Sequence, residues 1–175
     1  MHLVKSYTGS GKTSIIKKVQ EKYPEYAILS LVSRKTLSDC HTKELQLKNY
    51  QNISKHGLNE VYQLDSIDKV DTKEMPYILI IDEVASLCSH YLNHMSKMSK
   101  NRILFVKKFS QLFKNNLCKM VIGVDANINT GTIQFINDLT VKPINLYVND
   151  FVKHRDTPVT IYEDKISLLK KAKEC

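Results

Sequence analysis

The chain has 175 residues, 42% of them hydrophobic and 25% charged, as in a globular protein with one sizeable core. Its formal net charge of +8 and isoelectric point of about 9.2 allow an anionic partner without identifying one. No apolar run approaches the length of a membrane span, and the N-terminal MHLVKSYTGS lacks a signal-peptide core, which argues against a membrane or secreted protein.

Cysteine usage agrees with that exclusion. The four cysteines are Cys40, Cys88, Cys118 and Cys175, and none of them forms a C-x-x-C pair. This pattern predicts a reduced, soluble, intracellular protein whose cysteines are mostly small buried hydrophobic residues.

Strands and helices are predicted to alternate along the first half of the chain. In order, the patterns predict a strand at 2–6, a glycine turn, a helix at 13–23 ended by Pro24, a strand at 26–33, a helix at 35–48, a strand at 60–64 and a helical turn at 65–70. The strand at 26–33 is a continuous β-prone run, which is typical of a strand covered on both faces.

The second half continues the alternation. The predicted elements are a very apolar strand at 77–83, helices at 84–95 and 102–115, a strand at 119–126, a helix around 132–139 and a strand at 144–148. The helix at 102–115 carries an apolar stripe of Phe105, Phe109, Leu112 and Phe113, which we expect in the core. The alternation predicts an α/β fold, a mostly parallel sheet with helices on both faces.

The stretch SYTGSGKTS at 6–14 is the first candidate site. Its glycines lie between a strand and a helix, so the backbone N–H groups and the helix dipole favour a phosphate. Lys12 would reach the β- and γ-phosphates, and the Thr13 hydroxyl would ligate Mg²⁺. The predicted nucleotide-binding set is Thr8, Gly9, Ser10, Gly11, Lys12, Thr13 and Ser14. The alternative is a chance glycine turn that carries a lysine.

The run YILIIDE at 77–83 supplies the acidic residues that a phosphate loop needs as partners for its metal ion. Asp82 ends a buried strand, where ligands bind in open α/β sheets, and could hold Mg²⁺. The adjacent Glu83 could polarise an attacking water, so Lys12, Asp82 and Glu83 are the candidate catalytic residues. In the alternative interpretation the two acids only cap the next helix. Together the motifs predict a nucleoside triphosphatase, with ATP as the default nucleotide because no N-K-x-D guanine motif is present.

These motifs resemble a known family. T-G-S-G-K-T and D-E-V-A are similar to motifs I and II of superfamily 2 helicases, in which a residue other than glycine is normal at the place of Ser6. The segments IIDEVASLCSHY and VIGVDANINTGTIQFI resemble those of herpesvirus-type replication origin-binding proteins and their relatives in large DNA viruses. The resemblance covers roughly residues 3–150.

The resemblance implies a fold and an activity. Residues 1–150 would form the first RecA-like lobe, which binds ATP, and residues 151–175 a linker and the possible start of a second lobe. In such helicases ATP hydrolysis drives the opening of DNA, and the missing second lobe carries an arginine finger. We therefore expect this chain alone to bind ATP weakly and to hydrolyse it slowly. A viral version could reside in the host nucleus or cytoplasm.

The resemblance also implies further site residues. DNA contacts would come from Ser33, Arg34, Gln63 and Ser66, and nucleotide-to-DNA coupling from Asp125 and Ala126. Ser33 and Ser66 could instead cap helices, and Asp125 could cap the turn NINTG.

Three other interpretations stay open from the sequence. Cys88, His90 and His94 have a spacing that suits zinc, although a solvated helix face explains them better. The chain could be a different P-loop enzyme, such as a kinase or AAA-type ATPase. It could also be a non-catalytic module that binds nucleotide or nucleic acid, for which the basic tail DKISLLKKAKEC is suited.

Overall fold

The computed structural model of the chain describes residues 1–7, 9–52, 59–72, 75–92, 102–140 and 142–151. Its strands are β1 (His2–Ser6), β2 (Ala27–Val32), β3 (Lys48–Asn49), β4 (Glu60–Gln63), β5 (Tyr77–Asp82), β6 (Cys118–Asp125) and β7 (Asn145–Asn149). Its α-helices are α1 (Lys12–Lys22), α2 (Lys35–Glu44), α3 (Val84–Leu92), α4 (Arg102–Lys114) and α5 (Thr130–Leu139). Short 3₁₀ helices lie at Tyr50–Asn52 and Leu64–Lys69.

The seven strands form one sheet in the order β3-β4-β2-β5-β6-β1-β7, and every pairing in it is parallel. Parallel strands need crossover connections, which the helices provide. All six residues of β2 are buried, as the continuous apolar run predicted. Because the strands run in one direction, the segments that follow them meet at one edge, the carboxyl edge of the sheet.

Helices cover both faces of the sheet. On one face α1 and α2 pack on a core that includes Ile16, Ile28 and Leu45. On the other face α3, α4 and α5 pack on a larger core. The predicted stripe of α4, which is Phe105, Phe109, Leu112 and Phe113, lies in that larger core. The α/β prediction, with helices on both faces of a parallel sheet, is confirmed.

One predicted helix ends earlier than expected. The pattern predicted a helix at 35–48, whereas α2 ends at Glu44, and the backbone N–H of Leu45 donates to the carbonyl of His41. Gln46 then takes a left-handed φ of 55°, which turns the chain so that Lys48 and Asn49 pair with β4. Strand pairing therefore overrides the local helical pattern here.

Some predictions fall outside the described residues. These are the end of the helix predicted at 84–95, the linker after Phe151, and the strand and helix expected at 159–173. Within the described ranges, none of the helices has the length and hydrophobicity that crossing a membrane requires.

Candidate functional site

The phosphate loop joins the end of β1 to the start of α1. Gly9 and Gly11 have φ values of 77° and 88°, a left-handed conformation that glycine adopts without steric cost. Gly11 is the residue that precedes the first turn of α1. Thr8 lies outside the described residues. The loop thus has the strand, glycine turn and helix N-terminus that phosphate binding requires.

The Lys12 side chain folds back over this loop. Its Nζ donates hydrogen bonds to the carbonyl oxygens of Ser6 and Tyr7, both at 3.1 Å. Among the residues that the structure describes, Lys12 forms no ion pair with a carboxylate. Its charge is therefore not neutralised there and remains available to an anion.

Ser6, which stands where the common phosphate-loop pattern has its first glycine, is a buried structural residue. It is 2% exposed, and its Oγ donates to Ser10 Oγ. The same Oγ accepts a hydrogen bond from Asn149 Nδ2 at 3.0 Å. The hydroxyl therefore connects the phosphate loop with the end of β7, and a glycine would lose both contacts.

The acidic pair lies at the carboxyl end of β5. Asp82 is the last residue of that strand, and its Oδ1 accepts a hydrogen bond from the Glu83 backbone N–H at 2.9 Å. Glu83 has a φ of 57°, an uncommon conformation for a residue with a side chain. Such backbone strain of about 1–3 kcal/mol persists where surrounding contacts hold it, often at functional sites.

Two residues after β2 contact the Glu83 side chain. Ser33 Oγ donates a hydrogen bond to Glu83 Oε2 at 2.7 Å. Arg34 Nε lies 3.7 Å from the same oxygen, and the Arg34 side chain is 70% exposed. The N-terminal cap position of α2 is Arg34, and no side chain forms a cap hydrogen bond there. The alternative that Ser33 caps this helix is therefore wrong.

Asp82 has a partner that the sequence did not predict. His41 Nε2 lies 3.0 Å from Asp82 Oδ2, and His41 Nδ1 lies 2.8 Å from Ser30 Oγ. His41 is buried in α2. The signal available in the sequence was its spacing, because His41 interrupts an apolar stripe between Leu37 and Leu45, each four residues away.

Asp125 holds backbone groups on two sides. Its Oδ2 accepts from the Ala85 N–H, and its Oδ1 accepts from the Asn127 N–H, both at 2.8 Å. The side chain therefore does cap the turn after β6, and it also connects β6 with the first turn of α3. Because α3 follows Glu83 directly, Asp125 helps to fix the backbone next to the acidic pair.

One cavity of about 580 Å³ brings most of the predicted site residues together. Its lining includes Gly9, Gly11, Lys12, Thr13, Ser14, Arg34, Asp82, Glu83, Asp125 and Ala126. The oxygen donors of Thr13 and Asp82 are of the kind that Mg²⁺ prefers, so the donor set fits this ion.

A second, polar groove of about 590 Å³ adjoins the cavity. The two share Arg34, Ser86 and Asn127 in their linings, and the groove also includes Ser33. Gln63 and Ser66 line neither of them. Gln63 Oε1 accepts a hydrogen bond from Tyr50 Oη at 3.0 Å. The predicted DNA contacts are therefore divided between this groove and the neighbouring end of β4.

The zinc alternative receives no support from the described residues. Burial raises the pKa of the Cys88 thiol to about 11, and its Sγ donates to the Val84 carbonyl at 3.4 Å. His94 and the side chain of His90 lie outside the described residues. In the ranges that are described, no three His, Cys, Asp or Glu side chains form a cluster that could hold a metal.

Comparison with known proteins gives a family and a fold. A family model described as "Origin of replication binding protein" matches residues 1–157. No curated protein matches the chain.

Several solved structures share this fold at low sequence identity. A hypothetical ATP-dependent RNA helicase from Sulfolobus tokodaii has a TM-score of 0.55 at 16% identity, over 85% of this chain and 47% of that one. Saccharomyces cerevisiae Dbp5, bound to Nup159, Gle1, IP6 and ADP, has a TM-score of 0.55 at 13% identity, over 85% of this chain and 43% of that one. The Pyrococcus furiosus Hef helicase domain has a TM-score of 0.52 at 15% identity, over 86% of this chain and 35% of that one. The chain thus spans less than half the length of each.

Proposed function

The chain belongs to the origin of replication binding protein family, and we propose that it is the ATP-binding lobe of a DNA helicase that acts in viral-type replication initiation. The observation that carries the proposal is the single cavity that joins the phosphate loop to Asp82, Glu83 and Asp125. A nucleoside triphosphatase needs phosphate-binding N–H groups, a lysine, metal ligands and a base within one site. This cavity has a residue for each.

The phosphate loop would bind the β- and γ-phosphates of ATP. Backbone N–H groups of the loop and the N-terminus of α1 favour an anion there. Lys12 would exchange the carbonyls of Ser6 and Tyr7 for phosphate oxygens, which are stronger partners for an ammonium group. Loss of those two carbonyl contacts on binding would also release the loop from the lysine.

Thr13 and Asp82 would hold Mg²⁺, which neutralises the charge that develops on the phosphates. Glu83 would accept a proton from the attacking water, because its carboxylate lines the same cavity next to Asp82. In the structure its Oε2 is bonded to Ser33. That contact has to weaken before this oxygen is fully available as a base.

DNA would bind along the adjoining groove at the carboxyl edge of the sheet. Arg34 is exposed and shared by the groove and the cavity, which suits a cation that contacts a DNA phosphate. We assign backbone contacts also to Ser33, Gln63 and Ser66. Asp125 and Ala126 would transmit the state of the nucleotide, since Asp125 bonds the start of α3.

The division of the chain follows from the same proposal. Residues 1–150 would be the first RecA-like lobe, and residues 151–175 a linker and the possible start of a second lobe. The chain covers 47% of the Sulfolobus tokodaii helicase structure, which supports this division. Hydrolysis coupled to unwinding would then belong to the protein that has both lobes.

A second candidate is a lobe that binds nucleotide without turnover. The observation that favours it is the engagement of Glu83 by Ser33 and Arg34, which leaves the proposed base occupied. Single-turnover hydrolysis separates the two candidates, because only the first forms ADP and phosphate.

The first test of the proposed function is the binding of a fluorescent ATP analogue with Mg²⁺. Lys12→Ala should lose binding, because the loop then lacks its cation. Lys18→Ala is the matched control, since Lys18 is an exposed lysine of the same helix that does not line the cavity. Equal binding by the wild-type chain and Lys12→Ala would refute the proposed site.

A further inference from the structure

His41 is a buried polar residue whose two ring nitrogens both have partners. It lies in α2 with 1% of its surface exposed. Nε2 is 3.0 Å from Asp82 Oδ2, and Nδ1 is 2.8 Å from Ser30 Oγ. When Nε2–H donates to the carboxylate, Nδ1 accepts the hydrogen of the Ser30 hydroxyl, so both ring nitrogens of His41 are satisfied. Ser30 and Asp82 belong to neighbouring strands, and the ring is therefore held from two sides.

This contact fixes the orientation of Asp82. The carboxylate accepts from His41 at Oδ2 and from the Glu83 N–H at Oδ1. A carboxylate bonded at both oxygens does not rotate freely, yet each oxygen keeps a lone pair for a further ligand. Removing partners that orient metal ligands typically lowers metal affinity by about 10–100-fold.

The geometry assigns His41 the role of a positioning residue, which aims the Asp82 carboxylate at the Mg²⁺ of a bound nucleotide. This inference rests on the proposed function, because it requires Mg²⁺–nucleotide as the ligand of the cavity. It also gives α2 a function. The helix begins directly after Arg34 and carries His41 on its inner face, so one rigid element connects the proposed DNA contact with the metal ligand.

The test compares nucleotide affinity with and without Mg²⁺ on the 175-residue chain. The probe is a fluorescent ATP analogue, titrated once with Mg²⁺ and once with EDTA. His41→Leu removes the donor at similar volume, whereas His41→Gln keeps an N–H donor of comparable reach. Ser38→Ala is the control, because Ser38 is another buried polar residue of α2 and bonds Asn49 rather than Asp82. Circular dichroism melts establish that each variant is folded.

We expect His41→Leu to bind the analogue in EDTA as the wild type does. The increase in affinity that Mg²⁺ produces should be about tenfold smaller in His41→Leu than in the wild type. His41→Gln should keep most of that gain, and Ser38→Ala all of it. If His41→Leu does not fold, His41→Asn replaces it, because the shorter amide does not reach Asp82.

Two results would overturn the inference. One is a full Mg²⁺-dependent gain in His41→Leu or His41→Asn. The other is an equal loss in Ser38→Ala, which would reduce His41 to a packing residue of α2. Absence of analogue binding by the wild-type chain, with Mg²⁺ and with EDTA, would instead refute the proposed function itself. This outcome differs from failure of the His41 inference because it is seen without any substitution.

Discussion

Ser33 Oγ donates a hydrogen bond to Glu83 Oε2 at 2.7 Å, and this contact joins the end of β2 to the residue after β5. Ser33 is proposed to bind a DNA phosphate, and Glu83 is proposed to activate water. Arg34, at 3.7 Å from the same Glu83 oxygen, adds a cation to the contact. A DNA phosphate that takes Ser33 and Arg34 as partners would free the Glu83 carboxylate. The contact therefore offers a direct connection between DNA binding and hydrolysis.

Ser33→Ala is predicted to raise ATP turnover in the absence of DNA by about 2–10-fold, and to reduce the stimulation that DNA produces. The physical reason is the loss of the hydrogen bond from Ser33 to Glu83 Oε2, which leaves this oxygen free to accept a proton from water. Phosphate release with and without single-stranded DNA measures both effects. Ser33→Thr keeps the hydroxyl and should behave as the wild type. Unchanged basal turnover in Ser33→Ala would show that the contact does not restrain Glu83.

Arg34→Ala is predicted to weaken binding of single-stranded DNA and to reduce its salt dependence. Loss of one phosphate contact lowers the slope of log K against log salt by about 0.7 for a single strand. Fluorescence anisotropy at several salt concentrations gives this slope. Lys119→Ala is the matched control, because Lys119 is an exposed cation near the start of β6, at the opposite edge of the sheet. The same change of slope in both variants would contradict a specific contact at Arg34.

Gly11→Ala is predicted to lose nucleotide binding and to lower the free energy of unfolding by about 1–2 kcal/mol. Gly11 has a φ of 88°, and a Cβ makes the left-handed conformation unfavourable by about that amount. The added methyl group would make only ordinary van der Waals contacts, with Ser14 atoms at 4.0 Å, so strain rather than a clash is the cause. Denaturant unfolding and analogue binding measure the two effects. Normal binding in a folded Gly11→Ala chain would argue against this loop geometry.

Tyr77→Phe is predicted to lower the free energy of unfolding by about 1–2 kcal/mol without changing nucleotide binding. The Tyr77 hydroxyl is buried and donates to the Leu112 carbonyl at 2.8 Å, and its removal leaves that carbonyl without this donor. Burial also raises the pKa of Tyr77, so the hydroxyl stays protonated, and remains a donor, further into the alkaline range than an ordinary tyrosine does. Tyr147→Phe is the control, since Tyr147 is 51% exposed. Equal stability of the two variants would contradict the packing of α4 on β5.

The fold was predictable because its signals are local. Runs such as AILSLV and YILIID are typical of strands covered on both faces, and the apolar stripe of Phe105 and Phe109 is typical of a helix that faces the core. The glycine turn between β1 and α1 likewise identified the phosphate loop. The early end of α2 was not predictable, because it depends on the pairing of β3 with the distant strand β4.

The partners within the site were not predictable from local patterns. Ser33 and Glu83 are far apart in the sequence, as are His41 and Asp82, and only the neighbouring positions of β2 and β5 in the sheet bring them together. The sequence identified Asp82 and Glu83 by residue type, but it contained no information on which side chains hold them. Those contacts follow from the strand order.

Coupling of the nucleotide cavity to the groove is measured by ATP-analogue binding with Mg²⁺, performed with and without single-stranded DNA on the wild-type chain. If the cavity and the groove are coupled through Ser33 and Arg34, DNA should raise the analogue affinity, and the analogue should raise DNA affinity by the same factor. Lys12→Ala should show neither effect. Analogue binding that is unaffected by DNA, on a chain that binds both, would contradict the coupling of the two sites.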